Sequence, residues 1–408
     1  MQAIAQREQA VEVWATTSET SPTWSAQAVD FSEIETDWRW LEQRGELTPY
    51  QTFDWVRSYA ADALQADGAT LALVVIRSAQ ARTLAILPLA VRTRLGIRTA
   101  SFVGGKHANF HMAVFAPGVM QRLDADGARR MLEDTAAAIG GLDAFILPCQ
   151  PESWNGITNP FALIDGQSSA NPAYKLVMDG DIETTFQSAM SPHARKKHKN
   201  KRTRFAELGA SLLVVPETDA AKQAILATFL RQKALRFAQM GITNPFADDR
   251  VAAFLRRGAG LDGGRPALFL AALELNGDIV ATYIGAEVRG RFSGMATSFE
   301  PDPVAMKYSP GEILLVDLIR HRFSHGMTVF DLGVGEARYK STFCNQTDDL
   351  IDSFVAISRR GRLLAAAMRL ATMAKGAIKR SPRLYAALMS VKRLRQRPMP
   401  SAAGAPQV

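Results

Sequence analysis

Glu336, Tyr339 and Lys340 lie within one turn's length of chain, just after Asp331-Leu-Gly-Val-Gly335. A carboxylate, a phenol and an ammonium so spaced can take a proton, give one and hold an anion. Gly333 and Gly335 predict a turn that ends a strand and delivers the three groups at its tip. Asp331 joins them as a fourth candidate. A plainer reading stands beside this one: Asp331 caps the strand end, the glycines shape the turn, and Lys340 makes a structural ion pair with Asp331 or Glu336.

Upstream, Tyr308-Ser-Pro-Gly-Glu312 precedes an apolar run and predicts a helix start. A helix N-terminus offers unpaired N–H groups and about half a positive charge, a ready seat for an anion. Gly311 would let the backbone approach a phosphate, with Ser309 and Glu312 flanking it. Equally, Ser309 could be a simple N-cap with Pro310 in the first turn.

Two further groups could meet a ligand. Residues 195–204 hold seven Lys or Arg in ten positions. Arg195, Lys199 and Arg202 share one helical face, and 197, 201 and 204 another. Cations wrapped round a helix, some near its positive end, predict an anionic partner. His107, Asn109 and His111 follow Gly104-Gly105 and could line an acceptor pocket. Without acidic or cysteine partners at ligand spacing they predict no metal site.

These candidates need elements to hold them. Helical spacing marks 31–41, a start at Thr48-Pro49, 126–139, the basic helix from Ser191-Pro192 to about Gly209, 219–239 and 310–324. Strands are predicted at 70–77, 83–91, 98–103, 144–147, 211–215, 267–275, 279–288, 291–299 and 328–332. Asn276-Gly277-Asp278 is a strong hairpin signal. Each half thus reads as hairpin, third strand, helix, glycine stop and final strand, which suggests an internal duplication. The expected division is a loose arm at 1–28, one domain at 29–180, a second at 181–356 and a basic tail at 357–408.

The chain has 408 residues, 47% hydrophobic and 22% charged, with a net charge of +8. That length implies two domains of ordinary soluble composition. The charge is uneven. No Asp or Glu follows Asp352, while twelve basic residues fall between Arg359 and Arg397, leaving about −4 on residues 1–352. The body therefore carries no DNA-binding signal. The tail alternates Lys and Arg with Leu363, Leu364, Leu370 and Met373, and Pro382 would split it into two helices. Such a tail predicts contact with an anionic membrane surface, or packing on the body. No apolar run is long enough to span a bilayer, and the first nineteen residues lack the pattern of a signal peptide. Cys149 and Cys344 lack metal-ligand spacing and suggest a reducing compartment, hence the cytoplasm, possible membrane contact being peripheral.

Over about residues 30–355 the chain resembles GNAT-type acyltransferases of the FemAB-like and CelD (cellulose biosynthesis) group, which includes BioF2-like acetyltransferase domains. The resemblance rests on Thr48-Pro-Tyr-Gln-Thr-Phe-Asp-Trp55, Leu84–Val91 with Phe102-Val-Gly-Gly105, and the basic run His193–Arg204. It rests most on Tyr308-Ser-Pro-Gly311 and on Asp331…Tyr339-Lys340…Phe343. It implies an α/β (α+β) fold of two tandem GNAT-like domains, each a mixed, largely antiparallel sheet flanked by helices. It also implies an acyl-CoA donor, usually acetyl-CoA, with its pyrophosphate on the helix after the third strand. An amine or hydroxyl would attack the thioester, with Glu336 as base and Tyr339 protonating the leaving thiolate or holding the intermediate. The usual Gln/Arg-x-x-Gly-x-Gly/Ala loop is reduced here to Ser-Pro-Gly. By the same resemblance the acceptor would be a sugar or sugar-nucleotide in cell-envelope or exopolysaccharide synthesis. Two alternatives stand: Fem-like transfer from aminoacyl-tRNA, and a catalytically degenerate scaffold at the membrane surface.

Overall fold

Alternating apolar residues and turn glycines build two sheets of matching design. The computed structural model describes residues 23–301 and 306–380. In the first half β1 (Trp24–Val29), β2 (Thr70–Ser78), β3 (Thr83–Arg94) and β4 (Ile97–Phe102) form an antiparallel run. Helices α1 (Phe31–Arg44), α2 (Phe53–Ala61) and the short α3 (Ala63–Ala66) lie between β1 and β2. The two-residue strand β5 (Val114–Phe115) pairs with β3, and α4 (Ala125–Ala138) then leads to β6 (Ala144–Pro151). Residues 24–29, expected within the loose arm, are a strand instead. Trp24, Ala26 and Val29 pack on the core, and that burial holds the segment on β2.

The second half repeats the plan with β11 (Ser211–Val214), β12 (Phe269–Leu275), β13 (Asp278–Val288), β14 (Arg291–Phe299), α9 (Pro310–Ser324) and β15 (Val329–Val334). Between the two runs come the small strands β7 (Ser153–Trp154), β8 (Ile157–Thr158), β9 (Gly166–Ser168) and β10 (Ala173–Val177). Next are α5 (Ile182–Ala189) and the basic helix α6 (Pro192–Ala206), with α7 (Asp219–Met240) and α8 (Asp249–Gly258) after β11. The chain closes with α10 (Arg338–Phe343), β16 (Gln346–Asp348), β17 (Leu350–Ala356) and α11 (Arg359–Arg380). At the β12–β13 turn Asn276 and Gly277 both have positive φ, 54° and 89°, the backbone that the Asn-Gly pair was expected to supply.

Along the sheets the orders are β1-β2-β3-β4-β6-β17-β9 and β11-β12-β13-β14-β15-β10-β16. They correspond position by position, as an internal duplication requires. The fourth strand and the strand after the helix are parallel in both: β4 with β6, and β14 with β15. The sixth strand is exchanged. β10 comes from the first half and pairs antiparallel with β15, while β17 comes from the second half and pairs antiparallel with β6. The boundary expected at residue 180 therefore divides the chain but not the sheets. Only Asp349 separates β16 in the second sheet from β17 in the first.

The core is continuous across the halves. Trp55 and Tyr59 of α2 pack edge-on against Phe254 of α8, with ring centroids 5.4 and 5.0 Å apart. Each large side chain so buried contributes about 1.5–3 kcal/mol, so these contacts hold the halves together. A second cluster lies between α9 and the second sheet, around Phe292, Phe330 and Leu318. Among the described residues no helix is long and apolar enough to cross a membrane.

Candidate active site

β14 and β15 pair only at Arg291–Ser293 with Val329–Asp331. Beyond that they separate, and a cleft of about 340 Å³ opens beside β14 and the start of α9. Tyr283 and Thr297 come from the sheet, Arg236 from α7, and Ser309, Gly311 and Glu312 from the head of α9. Tyr339 reaches in from α10. All three residues expected at the donor thus share one cleft with Tyr339.

The head of α9 is built open. Ser309 has a left-handed backbone (φ 57°) and makes no side-chain cap bond. The amides of Glu312 and Ile313 turn back onto the Ser309 carbonyl. The Gly311 amide has no acceptor among the described residues. Lys201 of α6 donates to Ser309 Oγ (2.7 Å) and to Glu312 Oε2 (2.8 Å), placing an ammonium at the same helix end. The corresponding helix of the first half is closed: Asp124 Oδ1 accepts from the Gly127 amide at 2.7 Å and occupies the N-terminus of α4 with a carboxylate.

Burial pushes the Tyr339 phenol up to about 12, so it is a proton donor at neutral pH. Tyr283 is wholly buried, which raises its phenol well above the ordinary value. Its ring lies against Gly294, where an added Cβ would fall 2.2 Å from Tyr283 Oη.

The other expected acceptor-side residues do not meet Tyr339 in the cleft. Asp331 is fully buried and saturated with donors. Arg291 gives it Nε at 2.5 Å and Nη2 at 2.8 Å, and Ser293 Oγ is 2.7 Å away. Arg291 also donates to Asp348 (2.8 Å) and stacks on Trp154 at 3.9 Å. Burial alone would lower its pKa, but the two carboxylates raise it on balance. Lys340 is buried as well and pairs with neither Asp331 nor Glu336. Its ammonium donates to the carbonyls of Gly333 (3.1 Å) and Val334 (2.8 Å), which secures the end of β15. Desolvation lowers its pKa to about 8. Glu336 is exposed in the turn before α10.

The first-half candidates are placed by packing. Asn109 Nδ2 donates to the Gly294 carbonyl and to Tyr50 Oη, both at 2.7 Å, at the point where β14 and β15 part. His107 packs edge-on to Phe246 (5.2 Å) and near Tyr59 (6.1 Å). Burial there lowers its pKa. On α6, Arg195 donates to the Gln187 and Met190 carbonyls at the end of α5, and Arg202 pairs with Asp317 of α9. Lys199 is exposed, together with Lys196, Lys197 and Arg204. Among the described residues no group of three or more His, Cys, Asp or Glu could hold a metal ion.

Sequence reasoning passed over Arg236, Tyr283, Thr297 and Arg291. Nothing local distinguishes them from a surface charge or a sheet residue, since the exchanged strands and the parting of β14 from β15 assemble their surroundings.

The fold is a pair of tandem GNAT-like domains. Residues 192–341, less than half of the chain, match the family model described as an acetyltransferase (GNAT) domain. Of solved structures, FemX aligns with a TM-score of 0.56 at 8% identity, over 80% of this chain and 96% of that one. A conserved protein of unknown function from Bacteroides thetaiotaomicron VPI-5482 aligns at 0.53 and 11% identity, over 82% and 100%. The C-terminal domain of a protein named as a lysylphosphatidylglycerol synthetase, from Agrobacterium fabrum, aligns at 0.51 and 13%, over 84% and 96%. At these identities the likeness is one of fold. No curated protein matches the chain in sequence.

Proposed function

We propose that the protein is an acyltransferase whose second domain binds an acyl-CoA, acetyl-CoA being the simplest, with its pyrophosphate on the head of α9. The contrast between the two helix starts carries this reading. The amide of Gly311 and the side chains of Lys201 and Arg236 suit an anion. Glu312 also stands at the head of α9, but its carboxylate is engaged by Lys201, whereas at the head of α4 the Asp124 carboxylate takes the Gly127 amide for itself. The acetyltransferase match, which covers the second unit, supports the same assignment.

In the reaction an acceptor amine or hydroxyl attacks the thioester carbonyl, and the carbon–sulfur bond breaks as the tetrahedral intermediate collapses. Tyr339 gives its proton to the departing thiolate. The proton lost by the acceptor passes to water, from which Tyr339 regains its own; Glu336, outside the cleft, takes no part. Lys340 and Asp331 act as positioning residues that fix β15. A sugar or sugar-nucleotide acceptor in envelope or exopolysaccharide synthesis remains what the family resemblance suggests.

Calorimetric titration of acetyl-CoA into the full chain at physiological salt tests this. Saturable binding that weakens at least roughly tenfold in Arg236→Glu is expected. No binding, or binding indifferent to that substitution, rejects the site.

One observation favours a second reading. The outward cations of α6 (Lys196, Lys197, Lys199 and Arg204) are exposed and suit a long polyanion, and the Fem-like resemblance of the sequence implies an aminoacyl-tRNA donor. That donor would show steeply salt-dependent tRNA binding, lost when these four are neutralised.

A further inference from the structure

The last helix presents an apolar face that the fold leaves uncovered. α11 is anchored firmly at its start: Ile357 and Ser358 donate their amides to the Asp143 carbonyl, and Ser358 Oγ donates to Asp143 Oδ1 at 2.5 Å. Gly361 lies so close that an added Cβ would fall 1.7 Å from the Asp143 carbonyl oxygen. Gly361 and Ala365 are buried and Leu364 and Met368 half-buried, which turns one side of the helix onto the first sheet. At 100° per residue the opposite arc holds Arg359, Arg362, Leu363, Ala366, Leu370 and Met373. Leu363, Leu370 and Met373 are 76%, 67% and 63% exposed.

A second exposed group stands nearby. Leu364 and Met368 wall a cleft of about 590 Å³ in the first domain, and Arg94 and Leu95 stand at the same cleft. Leu95 is fully exposed at the tip of the β3–β4 turn, with a positive φ of 52°.

The charges identify the occupant. Arg359, Arg360 and Arg362 crowd the first turn of α11, the positive end of its dipole, where the single carboxylate of Asp143, facing Arg360, offsets only part of their charge. Neither α11 nor the sequence after it contains an acid. A second copy docked face to face would set these arginines against themselves. A nucleic acid would leave the leucines exposed to water. We infer that the outward face of α11 seats the protein on an anionic lipid bilayer, apolar side chains entering the interface and arginines meeting headgroups.

Vesicle co-sedimentation of the full chain decides it. Vesicles of phosphatidylcholine with one third phosphatidylglycerol should bind at least roughly tenfold more tightly than phosphatidylcholine alone. The exposed double variant Leu363→Gln/Leu370→Gln should lose roughly tenfold or more of that binding, with its unfolding midpoint unchanged. Equal binding of variant and parent would mean that charge alone attracts the chain, and would overturn the inference. So would no binding to anionic vesicles, or concentration-dependent dimerisation abolished by the double variant.

Discussion

Asn109 of the first half fills the space in which a side chain at Gly333 of the second would stand. A Cβ built on Gly333 falls 2.6 Å from the Asn109 carboxamide, and the Gly333 backbone has φ +79°. The same carboxamide bonds the Gly294 carbonyl on the neighbouring strand. The first domain therefore holds the parallel strands of the second at the place where they part. Gly333→Ala should cost roughly 2–4 kcal/mol in urea unfolding, from left-handed strain and overpacking together. Adding Asn109→Ala should recover part of that loss. Full additivity of the two substitutions would disprove the contact.

The Asp331–Arg291 pair makes a contrasting prediction. Asp331→Ala strands a buried guanidinium, although Asp348 still holds one of its nitrogens. The cost should be on the order of 3 kcal/mol, measured by denaturant titration. A variant of unchanged stability would show that Asp331 is not a structural carboxylate.

Tyr339→Phe removes only the phenolic hydroxyl that reaches the cleft. With the proposed role, kcat for acyl transfer should fall by about 10²-fold while the donor KM changes little. Because burial holds the phenol up near 12, the loss should be equal at about pH 7 and pH 9. A rate loss confined to high pH would rule out the neutral phenol as the acid.

Stability should also depend on pH through His111. Complete burial lowers its pKa from 6.5 to about 4, against a partial opposing effect from Asp67 and from backbone bonds at Gly105 and Val103. Arg92 nearby lowers it further. Between those values the unfolded chain binds the proton and the folded chain does not, so stability rises with pH through the window. His107 and His198 are lowered as well and add with the same sign. His111→Gln should reduce the slope between about pH 4 and 6.5 by close to one proton. An unaltered slope would exclude His111 as a source.

Much of the fold was legible because its signals are local. The Asn276-Gly277 turn, the Ser309-Pro310 helix start and the repeated order of elements depend on residues adjacent in the chain. Helix α8 was equally legible and was passed over: Asp248 caps it, and Val251, Phe254, Leu255 and Gly258 mark its buried side. The candidate site was legible in part. Ser309, Gly311 and Glu312, at the head of a helix the sequence predicts, do line one cleft with Tyr339, which sits on the unpredicted α10.

What the sequence alone determined is therefore most of the repeated elements and their order; β1, β10, β17, α8 and α10 were not among them. Tertiary structure decided which sheet β10 and β17 join, because strand pairing is non-local and short apolar strands carry no label for a partner. It also decided that Asp331 is buried against Arg291 and Lys340 against backbone carbonyls, while Arg236 lies over the Phe299 ring at the cleft. A charged side chain reads alike in sequence whether it meets water, a buried partner or a ligand; only the desolvation and the partners that packing supplies tell these apart.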